Sequence, residues 1–216
     1  MEIVYVFDKN YIPYFNISVK SILKHNPNAN ITVVSAEKLD ILYNNIIIPL
    51  PENCPHRKND RITDSIYLKL KLTELQLDKI LYIDADVLCL KPLDELWNID
   101  CPYICLTESH TYGEKQAIEH AHCKYGLSGV MLMNLNELRK DNFTNKAFQP
   151  FNKQPYKLWC HEETIINHYF YNKLKFIDIK YNYCHNRQYK KSLLENEITL
   201  LHFPGNTKYK MEQYII

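Results

Sequence analysis

A chain of 216 residues is long enough for one domain with a full core and too short to expect two. With 26 basic residues against 25 acidic ones its net charge is +1, so no global field argues for nucleic acid or a membrane as the main partner. Seven cysteines, an odd number with no Cys-x-x-Cys spacing, fit reduced thiols better than a disulfide framework. The cluster Cys101, Cys105, His110 and Cys123 has the spacing of no common zinc site. The expected compartment is the cytoplasm, that of the host if the chain is virus-encoded.

The amino terminus lacks a basic segment and meets Asp8, so it reads as a first strand, Ile3–Phe7, and not as a signal peptide. No apolar run approaches the ~20 residues of a membrane helix. Phe15, Val19, Ile22 and Leu23 recur at helical spacing from Pro13 to Leu23, and Asn26-Pro27 stops the pattern. Strands are predicted at Ile31–Val34 and Ile46–Ile48. Pro51 to Asp60, with the basic group His56-Arg57-Lys58, reads as an exposed loop. A second helix is predicted from Asp64 to Leu77, then a strand over Lys79–Ile83. A turn and short helix over Pro92–Trp97 and strands at Tyr103–Leu106 and Gly129–Asn134 follow. A helix over Glu162–Phe170 and late strands at Phe176–Ile179 and Ile198–His202 close the series. Strands alternating with helices predict an α/β domain with a largely parallel sheet, and ligands in such sheets bind beyond the carboxyl ends of the strands.

Two carboxylates stand at one of those ends, Asp84 and Asp86. Along an extended chain side chains at i and i+2 share a direction, so the pair would converge, with Ala85 turned away. Like charges held together call for a cation, and a hard divalent ion prefers such oxygens. After the last strand comes His202-Phe203-Pro204-Gly205-Asn206-Thr207-Lys208. The imidazole can complete a metal site begun by two carboxylates, a mixed set that favours Mn²⁺ over Mg²⁺. Gly205 permits close backbone approach to a phosphate, and Lys208 offers a compact cation to a diphosphate oxygen.

With these segments in this order, the chain resembles the family 8 retaining glycosyltransferases of the GT-A fold, a Rossmann-like mixed, mostly parallel sheet flanked by helices. The resemblance spans nearly the whole chain, read as one domain, whole or part of a longer polypeptide. It implies that Asp8, Asn10 and Tyr11 contact the uracil and ribose of a UDP-sugar donor. It implies a donor contact for Lys69 in Tyr67-Leu68-Lys69-Leu70-Lys71-Leu72, where a solvated lysine is the other reading. It implies donor contacts for Asp84, Ala85, Asp86, His202, Gly205 and Lys208, with Asp84, Asp86 and His202 as ligands of Mn²⁺ or Mg²⁺.

Two segments depart from the family pattern. Leu127-Ser128-Gly129 stands where relatives carry Asn-Ser/Ala-Gly, and Glu162-Glu163-Thr164-Ile165-Ile166-Asn167 replaces Asp-Gln-x-x-x-Asn. Glu162 and Glu163 are the catalytic candidates; favourable placement at a helix N-terminus is their alternative reading. The implied function is hexose transfer, glucose or galactose, from a UDP-sugar to a glycan, glycolipid or protein hydroxyl. Two other classes are a sugar-1-phosphate nucleotidyltransferase and a non-catalytic sugar-nucleotide-binding module. The first needs a glycine-rich phosphate loop, and Phe7-Asp8-Lys9-Asn10 contains no glycine.

Overall fold

The structure, a computed structural model, describes residues 1–51, 63–109, 124–152, 161–185, 187, 189 and 192–214. The His56–Lys58 group, His110 and Cys123 lie outside the described residues. Strand β1 (Glu2–Val6) is buried from Ile3 onward. Asp8 ends the run: its carboxylate accepts the Asn10 N–H at 2.8 Å and caps a 3₁₀ turn over Lys9–Tyr11. Helix α1 (Ile12–His25) carries Pro13 in its first turn, where a missing N–H costs nothing, and buries Phe15, Val19 and Ile22.

Strands β2 (Asn30–Ser35) and β3 (Asn44–Ile47) add to the β1 edge in parallel. The segment expected as a regular helix to Leu77 is instead a tight helical run of 3₁₀ character, Asp64–Glu74. Tyr67 through Leu70 are all buried, so packing around the whole element, and not one apolar stripe, sets its path. It leads into β4 (Lys79–Ile83), then β5 (Val87–Cys89), the short helix α2 (Asp94–Trp97) and β6 (Ile104–Glu108). Strand β7 (Gly126–Asn134), helices α3 (Leu135–Lys140), α4 (Phe143–Phe148) and α5 (His161–Phe170), and β8 (Leu174–Ile177) follow.

The seven-stranded sheet has the order β3-β2-β1-β4-β7-β6-β8. It is parallel except for β7, which runs against both β4 and β6. Alternation along the strands splits the core into two layers. Val4, Ile80, Tyr82 and Met131 pack with the Asp64–Glu74 run, while Ile3, Tyr5, Leu81 and Leu132 pack with α1. Cys89, Cys101, Cys105 and Cys184 are buried free thiols. Among the described residues no helix is long and apolar enough to cross a membrane.

The strand expected over Ile198–His202 belongs to a second sheet, whose other strands escaped the sequence pattern. Strand β10 (Leu200–His202) pairs antiparallel with β5 and parallel with β9 (Tyr183–Cys184). Strands β5 and β9, three and two residues long, carry no readable period. Yet this small sheet holds the carboxy-terminal segment against the end of the large one.

Candidate active site

The two carboxylates converge by a turn and not along an extended strand. Residues 84–86 reverse the chain between β4 and β5, with the Val87 N–H donating to the Asp84 carbonyl at 3.2 Å. Ala85, 3% exposed, packs into the core beneath the turn and reaches the cleft wall. Register then delivers the third group: His202 on β10 lies opposite Val87 on β5. Its Nε2 is 3.2 Å from Asp86 Oδ1 and 3.8 Å from Asp84 Oδ2. One ligand atom from each of Asp84, Asp86 and His202 falls within 4.8 Å of the others.

The His202 ring is held from its other sides as well. Its Nδ1 is 2.9 Å from Asn182 Oδ1. A Cβ on Gly129 would stand 2.4 Å from His202 Cε1, so only glycine lets β7 pass so close to the ring. Burial disfavours the charged imidazole, but Asp86 overrides it and lifts the pKa to about 10. Burial likewise opposes ionised Asp86, and the His202 and Lys208 cations hold its carboxyl below the usual range. Lys208 Nζ lies 3.2 Å from Asp86 Oδ2 and 5.0 Å from the centre of the Tyr11 ring. Gly205 opens this last helical run, Gly205–Tyr214, at φ +66°, a left-handed conformation that favours glycine.

On the opposite flank sits Lys69, 4% exposed. Its Nζ bridges Asp84 Oδ1 at 3.0 Å and Glu162 Oε1 at 2.8 Å. Burial would lower its pKa, but the two carboxylates raise it well above the ordinary value. The solvated reading of this lysine is thereby excluded, while its contact with a donor is a separate matter. The Tyr82 hydroxyl donates to Asp84 Oδ1 from the end of β4.

Glu162 and Glu163 stand in the first turn of α5 and grip one residue of β7. The Ser128 hydroxyl donates to Glu162 Oε1 at 3.0 Å and its N–H to Glu163 Oε2 at 2.7 Å. Asn167 completes the clamp, accepting the Gly126 N–H at 2.6 Å and donating to the Gly126 carbonyl at 2.8 Å. Burial pushes the Glu163 carboxyl up to about 7 against the pull of the Ser128 N–H. Ser128 can be gripped because β7 bulges here. Consecutive Leu106 and Thr107 on β6 face Met131 and Leu127, which leaves Ser128, Gly129 and Val130 out of that ladder.

These groups line a cleft of about 390 Å³ beyond the ends of β1 and β4. Of the residues singled out in the sequence, Tyr11, Lys69, Ala85, Glu162, Glu163, Gly205 and Lys208 border it together with Asp84, Asp86 and His202. Asp8 and Asn10 stand outside its walls; Asp8 is engaged with the Asn10 N–H and, at 3.3 Å, with the Ser65 hydroxyl. The His161 ring lies 3.2 Å from the Tyr67 hydroxyl through Nδ1. Asn182 carried no signal in the sequence.

A parallel half-sheet, one antiparallel strand and carboxylates at the β4 end make up the GT-A glycosyltransferase architecture. Residues 2–209 match the model of glycosyl transferase family 8, and the chain belongs to that family. It is 27% identical over 242 residues to a protein of Haemophilus influenzae, covering 97% of this chain and 72% of the relative. Identity to the lipopolysaccharide glucosyltransferase WaaO of Escherichia coli is 25% over 245 residues, 96% of this chain and 72% of that protein. The galactosyltransferase LgtC, solved with donor and acceptor sugar analogues, superposes with a TM-score of 0.78 at 21% identity, over 99% of this chain and 94% of LgtC. That last likeness is one of fold.

Proposed function

We propose that the chain is a metal-dependent, retaining hexosyltransferase. It moves glucose or galactose from a UDP-sugar to a hydroxyl on a glycan, glycolipid or protein. The observation that carries the reading is the meeting of Asp84, Asp86 and His202 with a lysine on each flank. Two carboxylates and one imidazole suit Mn²⁺ better than Mg²⁺, which keeps to oxygen. A divalent cation bound there supplies Lewis-acid stabilisation to a diphosphate leaving group.

The chain's own groups do the rest. Lys208 offers its ammonium to a phosphate oxygen once that oxygen competes with Asp86, and Tyr11 lends the donor an aromatic face. Asp8 and Asn10, beside this wall, are assigned to the uracil and ribose, and Gly205 lets the backbone approach the phosphates. Lys69 bridges Glu162 and Asp84, in a site dry enough for fixed charges to act strongly. Glu162 and Glu163, which line the cleft, are assigned to the donor sugar. Retention then runs through departure and attack on one face, or through a covalent adduct on one of these carboxylates. The names of the relatives, a lipopolysaccharide glucosyltransferase and a galactosyltransferase, support a hexose donor and a glycan or glycolipid acceptor.

The test is nucleotide release from a panel of UDP-, GDP- and TDP-sugars with and without Mn²⁺. UDP release from UDP-glucose or UDP-galactose only with metal supports the reading. Pyrophosphate from UTP and a sugar-1-phosphate, with no UDP release, overturns it.

A further inference from the structure

We propose that Asn182 is a positioning residue for His202, fixing the tautomer that leaves Nε2 able to bind the cation. The inference rests on the metal reading above and extends it to a residue that touches neither metal nor donor. Asn182 is fully buried, with Oδ1 2.9 Å from His202 Nδ1. A neutral imidazole carries one N–H, and the nitrogen that carries it cannot ligate. An acceptor at Nδ1 keeps the proton there and turns the lone pair of Nε2 toward Asp86 and Asp84. The reversed amide would set an NH₂ against Nδ1, drive the proton onto Nε2 and take His202 out of the donor set.

The backbone is built to hold that acceptor in place. The Asn182 N–H donates to the Ile179 carbonyl at 3.0 Å. Strand β9 starts at the next residue and sets Cys184 opposite His202, while the His185 N–H bonds the His202 carbonyl at 2.8 Å. Asn182, two residues before Cys184, therefore meets the imidazole from the same side of the small sheet. Cys184 Sγ approaches Nδ1 only to 3.9 Å and is a weak partner. Asn182 Nδ2 has no partner among the described residues, which costs about 1–3 kcal/mol when buried. A side chain kept for fold stability alone gains nothing from that arrangement. One kept to present its oxygen to an imidazole does.

The experiment titrates the full chain with Mn²⁺ in the presence of UDP, reading free Mn²⁺ by electron paramagnetic resonance. His202→Ala serves as the reference. Asn182→Ala should weaken Mn²⁺ affinity roughly 10–100-fold, the usual effect of losing an outer partner of a metal ligand. Asn182→Asp, which keeps an acceptor at Nδ1, should stay near the wild type. Long-range ¹H–¹⁵N spectra of the Mg²⁺- and UDP-loaded wild type should show the His202 proton on Nδ1, a signature that general loosening of the fold does not produce. If Asn182→Ala does not fold, the wild-type spectrum and Asn182→Asp still decide the matter. Unchanged affinity in Asn182→Ala overturns the inference and leaves the metal site standing, whereas a proton on Nε2 in the loaded wild type overturns the inference and takes His202 out of that site. No Mn²⁺ binding by the wild type overturns both.

Discussion

Lys69 places its ammonium 2.8 Å from Glu162 Oε1, with the two side chains only 5% and 6% exposed. The same ammonium reaches Asp84, so one cation joins the carboxylates of Glu162 and Asp84. Removing it leaves two carboxylates facing each other in a poorly solvated place. Lys69→Met should therefore cost about 3–5 kcal/mol in urea denaturation. Adding Glu162→Gln should restore part of that loss, with a coupling of about 1 kcal/mol or more. Simple additivity of the two changes would show that the bridge is absent in solution.

Glu163 gives a stability change with a defined pH window. Burial raises its carboxyl from 4.5 to about 7 in the folded chain, so the fold binds a proton more readily than the unfolded chain does. The contribution is fully present below about 4.5, is lost as pH rises to about 7, and is flat beyond. Glu163→Gln keeps an acceptor for the Ser128 N–H and cannot ionise. It should match the wild type in urea midpoint near pH 4.5 and exceed it at pH 8, by about 1–3 kcal/mol. A gap of equal size at both pH values would contradict this origin.

The sequence carried the parts of the site whose chemistry is unusual for their place. Asp84, Asp86 and His202 end apolar runs, and the structure brings them together. The path of convergence was hidden, because a turn through Ala85 and a strand do the same thing to residues i and i+2. Lys69 was ambiguous for a physical reason: it lies in a run buried nearly all round, where helical periodicity says nothing about exposure. The antiparallel course of β7 at the middle of the sheet is a matter of long-range pairing that no local pattern encodes. Strand β9 has two residues, and Asn182 before it looks like any asparagine between tyrosines. The bulge that presents Ser128 depends on register against β6, which is likewise invisible along one chain.

Two glycines near the site should fail in different ways when changed to alanine. At Gly129 the new methyl would meet His202 at 2.4 and 2.7 Å, so the ring or β7 must shift from its present place. Gly129→Ala should lose at least about 10-fold in Mn²⁺ affinity, measured by calorimetry with UDP. At Gly205 a Cβ meets nothing within 4 Å, but φ of +66° is strained for a side chain. Gly205→Ala should cost roughly 1–2 kcal/mol of stability and leave metal affinity near the wild type. Equal losses of affinity in both would mean that contact with His202 is not what Gly129 prevents.

Asp86 links stability and ligand binding through one carboxylate. Without ligands it pairs with His202 at 3.2 Å and Lys208 at 3.2 Å, so Asp86→Asn removes the carboxylate that both groups face and should lower the melting temperature. With Mn²⁺ and UDP at about 100 times the dissociation constant, the wild type should gain about 2.7 kcal/mol. Asp86→Asn should gain almost nothing under the same conditions. The unliganded loss alone would be the mark of a structural ion pair. The lost response alone would be the mark of a ligand with no part in the fold. Both together follow from the geometry, because His202 and Lys208, the groups that hold Asp86, are those from which a metal and a phosphate would be gripped.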